Sequence, residues 1–291
     1  MDTPRPYLRI GLFVLGLVAL FAASVAAGSV FDPAETESSE MEETMDAHGG
    51  HGATATAGLQ PAGLGVSADG YALRLSPTQV ERGEKRELRF RIEHGGKPVT
   101  EFDELHERRM HLIVVRRDGT AFRHLHPEMD AAGTWSLPVA FDDAGVYRVF
   151  ADFSVGGEQE TLATDVFVSG GDFEARPFPV PQRVAETKGY EVELEAGEPM
   201  ATEPTVLGFE VSDGERPVDE LQPYLGADGH LVALREGDLA FLHVHPEEEH
   251  GAPNEIVFEA EFPTAGRYRL YLQFRHDGVV RTAEFTVAVP R

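Results

Sequence analysis

The sequence has no cysteine in 291 residues. That absence excludes disulfides, thiolate nucleophiles, thiolate zinc sites and iron–sulfur clusters together. Basic charge is scarce: 25 Lys and Arg stand against 50 Asp and Glu, a net charge of −25. Only Lys85, Lys97 and Lys188 are lysines. With no basic patch to neutralise phosphates, nucleic acid is excluded as a partner. A glycine-rich phosphate loop, a Gly-x-Ser-x-Gly elbow and a His-Glu-x-x-His helix are also missing. Any metal must be held by His, Met, carboxylate or backbone groups.

One long uncharged run is present. Ile10 to Val30 spans 21 residues, preceded by Arg5 and Arg9. It is long enough to cross a bilayer once, and the arginines favour a cytoplasmic N-terminus. A signal peptide cleaved near Ser24-Val25-Ala26-Ala27 is the rival reading. Residues 1–31 are thus a transmembrane anchor or a signal peptide. Either places the rest at the cell membrane or beyond it, outside the cytoplasm. Residues 32–69 hold eight acids and no base, and read as a disordered acidic linker. Within it, Met41, Met45, His48 and His51 form a Met/His cluster suited to Cu(I) or Cu(II), or else a plain solvated spacer.

The remainder is a duplicated unit. His111-Leu112-Ile113-Val114 matches His230-Leu231-Val232-Ala233, and Phe122-Arg123-His124-Leu125-His126-Pro127-Glu128 matches Phe241-Leu242-His243-Val244-His245-Pro246-Glu247, both at an offset of 119. Ala144-Gly145-Val146-Tyr147-Arg148 matches Ala265-Gly266-Arg267-Tyr268-Arg269 at 121. Each copy shows short period-two segments between turn signals and no helical period. In the first copy they are expected near Tyr71–Ser76, Glu87–Glu93, His111–Arg117, Ala121–His126, Thr134–Phe141, Val146–Val155 and Leu162–Val168. The expected fold is all-β, two tandem immunoglobulin-like β-sandwiches over residues 70–169 and 188–291, joined by a Pro-rich linker over 170–187.

The spacing His-x12-His-x-His occurs in both copies. A two-residue hairpin turn at Asp118-Gly119 opposes His111 to His126 and sets His124 beside them. A turn at Gly237-Asp238 does the same for His230, His245 and His243. Such stems lie about 5–7 Å apart, within reach of one Zn²⁺ or copper ion. Glu128 and Glu247 are candidate extra ligands or imidazole acceptors, and Met110 and Met129 candidate thioether donors to the first triad. The triads share their face with Ile113, Val115 and Phe122, or Val232, Leu234 and Phe241. This is expected to be the inner face, where the histidines would be neutral packing groups or pH sensors instead. His106, His250 and His276 lack a counterpart in the other copy and read as solvated or packing residues.

Met110-His111-Leu112-Ile113-Val114-Val115, Phe122-x-His124-Leu125-His126-Pro127 and the Ala144–Phe153 segment resemble exported bacterial proteins related to the YtkA-like and FixH-like extracytoplasmic β domains. The resemblance covers residues 71–289. It implies an Ig-like fold and a link to copper or other heavy-metal handling, and it supplies no established enzymatic activity. Three functions compete. The first is a membrane-tethered protein that buffers, senses or delivers copper, or alternatively zinc, in contact with an envelope protein or a metal transporter. The second is a structural or adaptor module of the cell envelope, with packing histidines. A three-histidine metalloenzyme ranks below both, because no general base accompanies the triads.

Overall fold

The computed structural model of the chain describes residues 61–290 apart from 215, 243 and 248–251, and only the backbone of His245. The first domain comprises β1 (Ser67–Ala68), β2 (Tyr71–Ser76), β3 (Gln79–Glu81), β4 (Arg86–His94), β5 (Lys97–Pro98), β6 (His111–Arg116), β7 (Arg123–Leu125), β8 (Glu128–Met129), β9 (Trp135–Val139), β10 (Gly145–Val155) and β11 (Glu158–Ser169). The second comprises β12 (Val184–Thr187), β13 (Tyr190–Ala196), β14 (Pro204–Ser212), β15 (Gly229–Arg235), β16 (Phe241–Leu242), β17 (Val244–Pro246), β18 (Glu255–Glu261), β19 (Gly266–His276) and β20 (Val279–Val289). Every segment expected in the first copy forms a strand. No helix occurs among the described residues. The anchor or signal expected over 1–31 and the Met/His cluster lie outside them.

Domain 1 packs a β1-β2-β4-β9-β8 sheet, with β5 beside β4, against a β3-β11-β10-β6-β7 sheet. Domain 2 packs β12-β13-β14-β18-β17 against β16-β15-β19-β20. Among the described residues, only β3 on β11 is parallel. The first strand of domain 1 therefore splits: β2 stays with β4, and β3 crosses to run beside the last strand. This order, with the sandwich cores described below, is that of an immunoglobulin-like sandwich. Both copies carry its tyrosine corner: Tyr147 donates its hydroxyl to the Asp143 carbonyl at 2.9 Å, and Tyr268 to that of Thr264 at 2.9 Å.

Alternation along the strands decides which side chains enter each core. Leu112 and Val114 of β6 join Tyr147, Val149, Ala151 and Phe153 of β10 inside domain 1. Leu231 and Ala233 of β15 join Tyr268, Leu270, Leu272 and Phe274 of β19 inside domain 2. The other face of β6 is apolar too, and all six of its residues are buried, the mark of a strand covered on both sides. Its outer residues Ile113 and Val115, with Phe150 and Ala163, pack on Val232, Leu234, Leu239, Phe241 and Tyr271. The sandwiches thus meet sheet to sheet through a third apolar cluster. This corrects the expectation that Ile113, Val115 and the histidines occupy an inner sandwich face: they lie on the outer face of one sheet, against the matching face of its sister.

Two boundaries differ from expectation. Of residues 61–69, read as linker, 61–65 are seated between the domains and Ser67–Ala68 pairs with β2 of domain 1: Gly63 donates to the Thr161 carbonyl at 3.0 Å, and Phe241 donates to that of Ala62 at 2.9 Å. Ala62 packs against the interdomain cluster. Val184–Thr187, also assigned to a linker, is a strand of the domain 2 sheet. The rest of that linker is pinned, with the Arg176 amide donating to Asp118 at 3.0 Å and the Arg267 guanidinium 5.4 Å from the Phe178 ring centre.

Candidate metal centre

The β6–β7 hairpin has the counted register. Leu112 faces Leu125, Ile113 faces His124 and Val114 faces Arg123. The turn differs from the two-residue form expected, for Ala121 adopts φ 55° along with Gly119. Asp118 braces the wider loop, accepting from the Arg116 guanidinium at 2.7 Å and the Thr120 hydroxyl at 2.7 Å. The second hairpin also opens into a longer loop, with φ 59° at Leu239. Its register holds where Ala233 faces Leu242.

His111, His124 and His126 converge as counted. Ring centres lie 5.0 Å apart for His111 and His124, 5.2 Å for His111 and His126, and 4.8 Å for His124 and His126. His230 faces the other domain, while its expected partners His243 and the His245 side chain lie outside the described residues. It projects from β15 across the interface and joins the first triad, 4.6 Å from His124 and stacked on His111 at 5.6 Å and 8°. One donor nitrogen from each of His111, His124 and His230 falls within 4.8 Å of the others. The expected opposition of His230 to His245 is not formed. After β16 the chain crosses to the other sheet, where β17 pairs His245 with Glu259 of β18. His243 lies outside the described residues, as do His48, His51, Met41, Met45 and His250.

The hydrogen bonds around this cluster orient the rings. His111 is 1% exposed, and its Nε2 lies 2.8 Å from the Leu105 carbonyl, to which it donates. Its Nδ1 lies 2.8 Å from Nε2 of His124. His124 points Nδ1 at Oε1 of Gln273, 2.7 Å away in the other domain. The outer nitrogens thus meet the Leu105 carbonyl and the Gln273 side-chain amide. The two inner nitrogens lie at hydrogen-bond distance from each other, and the tautomer of each ring sets which of them donates. Gln273 faces His230 across β15 and β19, while Asp152 faces His111 across β6 and β10. At offset 121 these are the same repeat position, held by an acceptor in both copies. Nε2 of His126 is buried without a hydrogen-bond partner among the described residues.

Burial keeps the rings neutral. It pushes His124 and His230 well below the usual histidine value, reinforced by neighbouring imidazoles. His126 falls to about 4, from burial first and His111 second. His111 is lowered by burial as well, against an opposing pull from the Leu105 carbonyl and Asp152.

The other candidates stand apart. Met110 is 1% exposed inside the domain 1 core, and Met129 packs on that core from β8. Glu128 is exposed on β8 and lines a surface cleft with Glu104, Glu107 and Arg108. Glu247 is exposed. His276 bonds the Tyr190 hydroxyl at 2.8 Å. Sequence reasoning passed over Gln273 and set His106 aside as a solvated or packing residue. Gln273 carried a signal, being polar at the position where the other copy has Asp152. The ring of His106 stands 6.1 Å from His111 and 5.7 Å from His230.

No curated protein matches the chain. Among solved structures it is similar to a Salmonella alpha-2-macroglobulin mutant at 15% identity and TM-score 0.28, covering 80% of this chain and 15% of that one. It is similar to the Escherichia coli adhesin FdeC at 12% identity and TM-score 0.26, covering 77% and 65%. It is similar to Yersinia pseudotuberculosis InvD at 13% identity and TM-score 0.26, covering 77% and 58%. The chain spans less than two thirds of the length of each. One family matches twice, over residues 66–170 and again over 185–291, the two sandwiches that together build the histidine cluster. The chain therefore belongs to the family described as Domain of unknown function (DUF8832), of which it carries two copies.

Proposed function

We propose that this protein is a membrane-tethered, extracytoplasmic metal-binding protein that holds a single copper or zinc ion between its two domains, to buffer, sense or deliver it. The observation that carries this reading is the convergence of one donor nitrogen from each of His111, His124 and His230 within 4.8 Å of one another. The Leu105 carbonyl and the Gln273 amide orient two of these rings from behind, and the unpartnered Nε2 of His126 brings a further imidazole donor to the same place. An all-imidazole donor set without thiolate suits copper and zinc. The uncharged run from Ile10 to Val30 and the resemblance to YtkA-like and FixH-like domains support the location and the copper alternative.

The test is titration of the purified full chain in mild detergent with Cu(I), Cu(II) and Zn²⁺, beside His111→Ala with His124→Ala and, separately, Gln273→Leu. One of these metals is expected to bind with a single ion per chain. The double variant should lose it, and Gln273→Leu should weaken it by about 10–100-fold, the usual cost of losing a group that orients a ligand. A folded wild type that binds none of the three ions would overturn the proposal. The cluster would then be interface packing in an envelope adaptor module, the reading that the His124–Gln273 bond across the domains would favour.

A further inference from the structure

We infer that His106 is an additional ligand of this shared site and the one through which an ion enters it from the surface. The inference rests on the metal-binding reading and adds to it a residue and a route. Leu105–Arg108 is a tight turn closed by reciprocal backbone bonds, Leu105 to the Arg108 carbonyl at 2.7 Å and Arg108 to that of Leu105 at 3.0 Å. Domain 2 builds the same turn at offset 119, where Tyr224 donates to the Ala227 carbonyl at 2.7 Å. Its two central residues are left-handed in both copies: φ 48° and 61° at His106 and Glu107, φ 58° and 81° at Leu225 and Gly226. That conformation is the one a type I′ turn requires.

The two turns are neighbours across the interface. A Cβ on Gly226 would lie 3.7 Å from the Glu107 side chain. They share a backbone and differ in cargo. Leu225 is 4% exposed, an apolar side chain tucked away. His106 carries an imidazole to the edge of the cluster, near His111 of its own domain and His230 of the other. It is half-buried, as are His124, His126 and His230, but Glu104, Glu107, Arg108 and Arg109 around it are exposed. It therefore joins the cluster to an exposed turn. The same turn supplies the Leu105 carbonyl that orients His111, so one four-residue element both aims a central ligand and presents an outer one.

The sister copy dictates the variant. His106→Leu installs the residue that domain 2 tolerates at the same φ, and His106→Asn adds a polar residue at ease in the left-handed region. The full chain and both variants would be mixed with Zn²⁺ and with Cu(I) in stopped flow, and affinities measured by chelator competition. Both variants are expected to keep the wild-type melting temperature, to bind about tenfold more slowly and to lose about tenfold or more in affinity. Wild-type rate and affinity in both, with binding still abolished by His111→Ala plus His124→Ala, would overturn the role of His106 and leave the shared site standing. Absence of binding by the wild type would overturn the metal reading and this inference together.

Discussion

Glu160 shows how one residue can set a pH dependence apart from the histidines. Its half-buried carboxyl is pushed up to about 7, by burial first, then by Asp69, and least by Glu158. An unfolded chain releases that proton near the ordinary 4.5. Between those values the folded protein holds more protons than the unfolded one, so this group's contribution to stability falls as pH rises through the window. His126 acts in the opposite sense: with its value lowered to about 4, stability is lost as pH falls from about 6.5. Comparing Glu160→Gln with wild type isolates the carboxyl. Urea midpoints should show the variant gaining on wild type at pH 8 relative to pH 5, and an equal difference at both would refute the assignment.

At the scale of elements, the segment at residues 61–65 acts as a strap. It touches the last strand of domain 1 through the Gly63 and Gly65 bonds to Thr161 and Ala163, and domain 2 through Ala62 and Phe241. Arg148 clamps it by donating to the Gly63 carbonyl at 2.8 Å. Gly63 is required twice over. Its φ is 71°, and a Cβ there would stand 2.7 Å from the Phe150 ring and 2.9 Å from Cβ of Phe241. Gly63→Ala should cost about 1–3 kcal/mol, visible as a lower melting temperature. An unchanged melt would mean that the strap does not seat between the two aromatic side chains.

Over the whole molecule, the two sandwiches behave as one body because their contact has the character of a core. Phe122 stacks on Tyr271 at 4.0 Å and 9°, and the Tyr271 hydroxyl donates to the Gly119 carbonyl at 2.8 Å. The histidine cluster lies on this seam, with His230 and Gln273 from one side and His111, His124 and His126 from the other. Calorimetry should therefore show a single unfolding transition for both domains. Tyr271→Ala should cost about 3–5 kcal/mol, split the transition and weaken metal binding, because the donors are no longer held together. Two independent transitions in the wild type would refute that coupling.

The sequence by itself determined what is local. Period-two alternation located the strands of both copies, and the hairpin count set Leu112 against Leu125 and Ala233 against Leu242 although neither turn had the expected form. Register survived because the apolar pattern on a strand penalises a one-residue slip more than a change of turn does. The same alternation accounts for Met110: one step from His111, it faces the opposite side of the chain and enters the core. Only the tertiary structure decided which outer face meets which. Docking two sheets depends on complementarity between side chains more than a hundred positions apart, which no local pattern encodes. That docking took His230 from its own hairpin to the triad of the other domain, brought Gln273 to His124, and turned His106 from an unmatched loop residue into a neighbour of the cluster. The clue legible beforehand was β6 itself, apolar on both faces around a histidine, which meant a second covering layer.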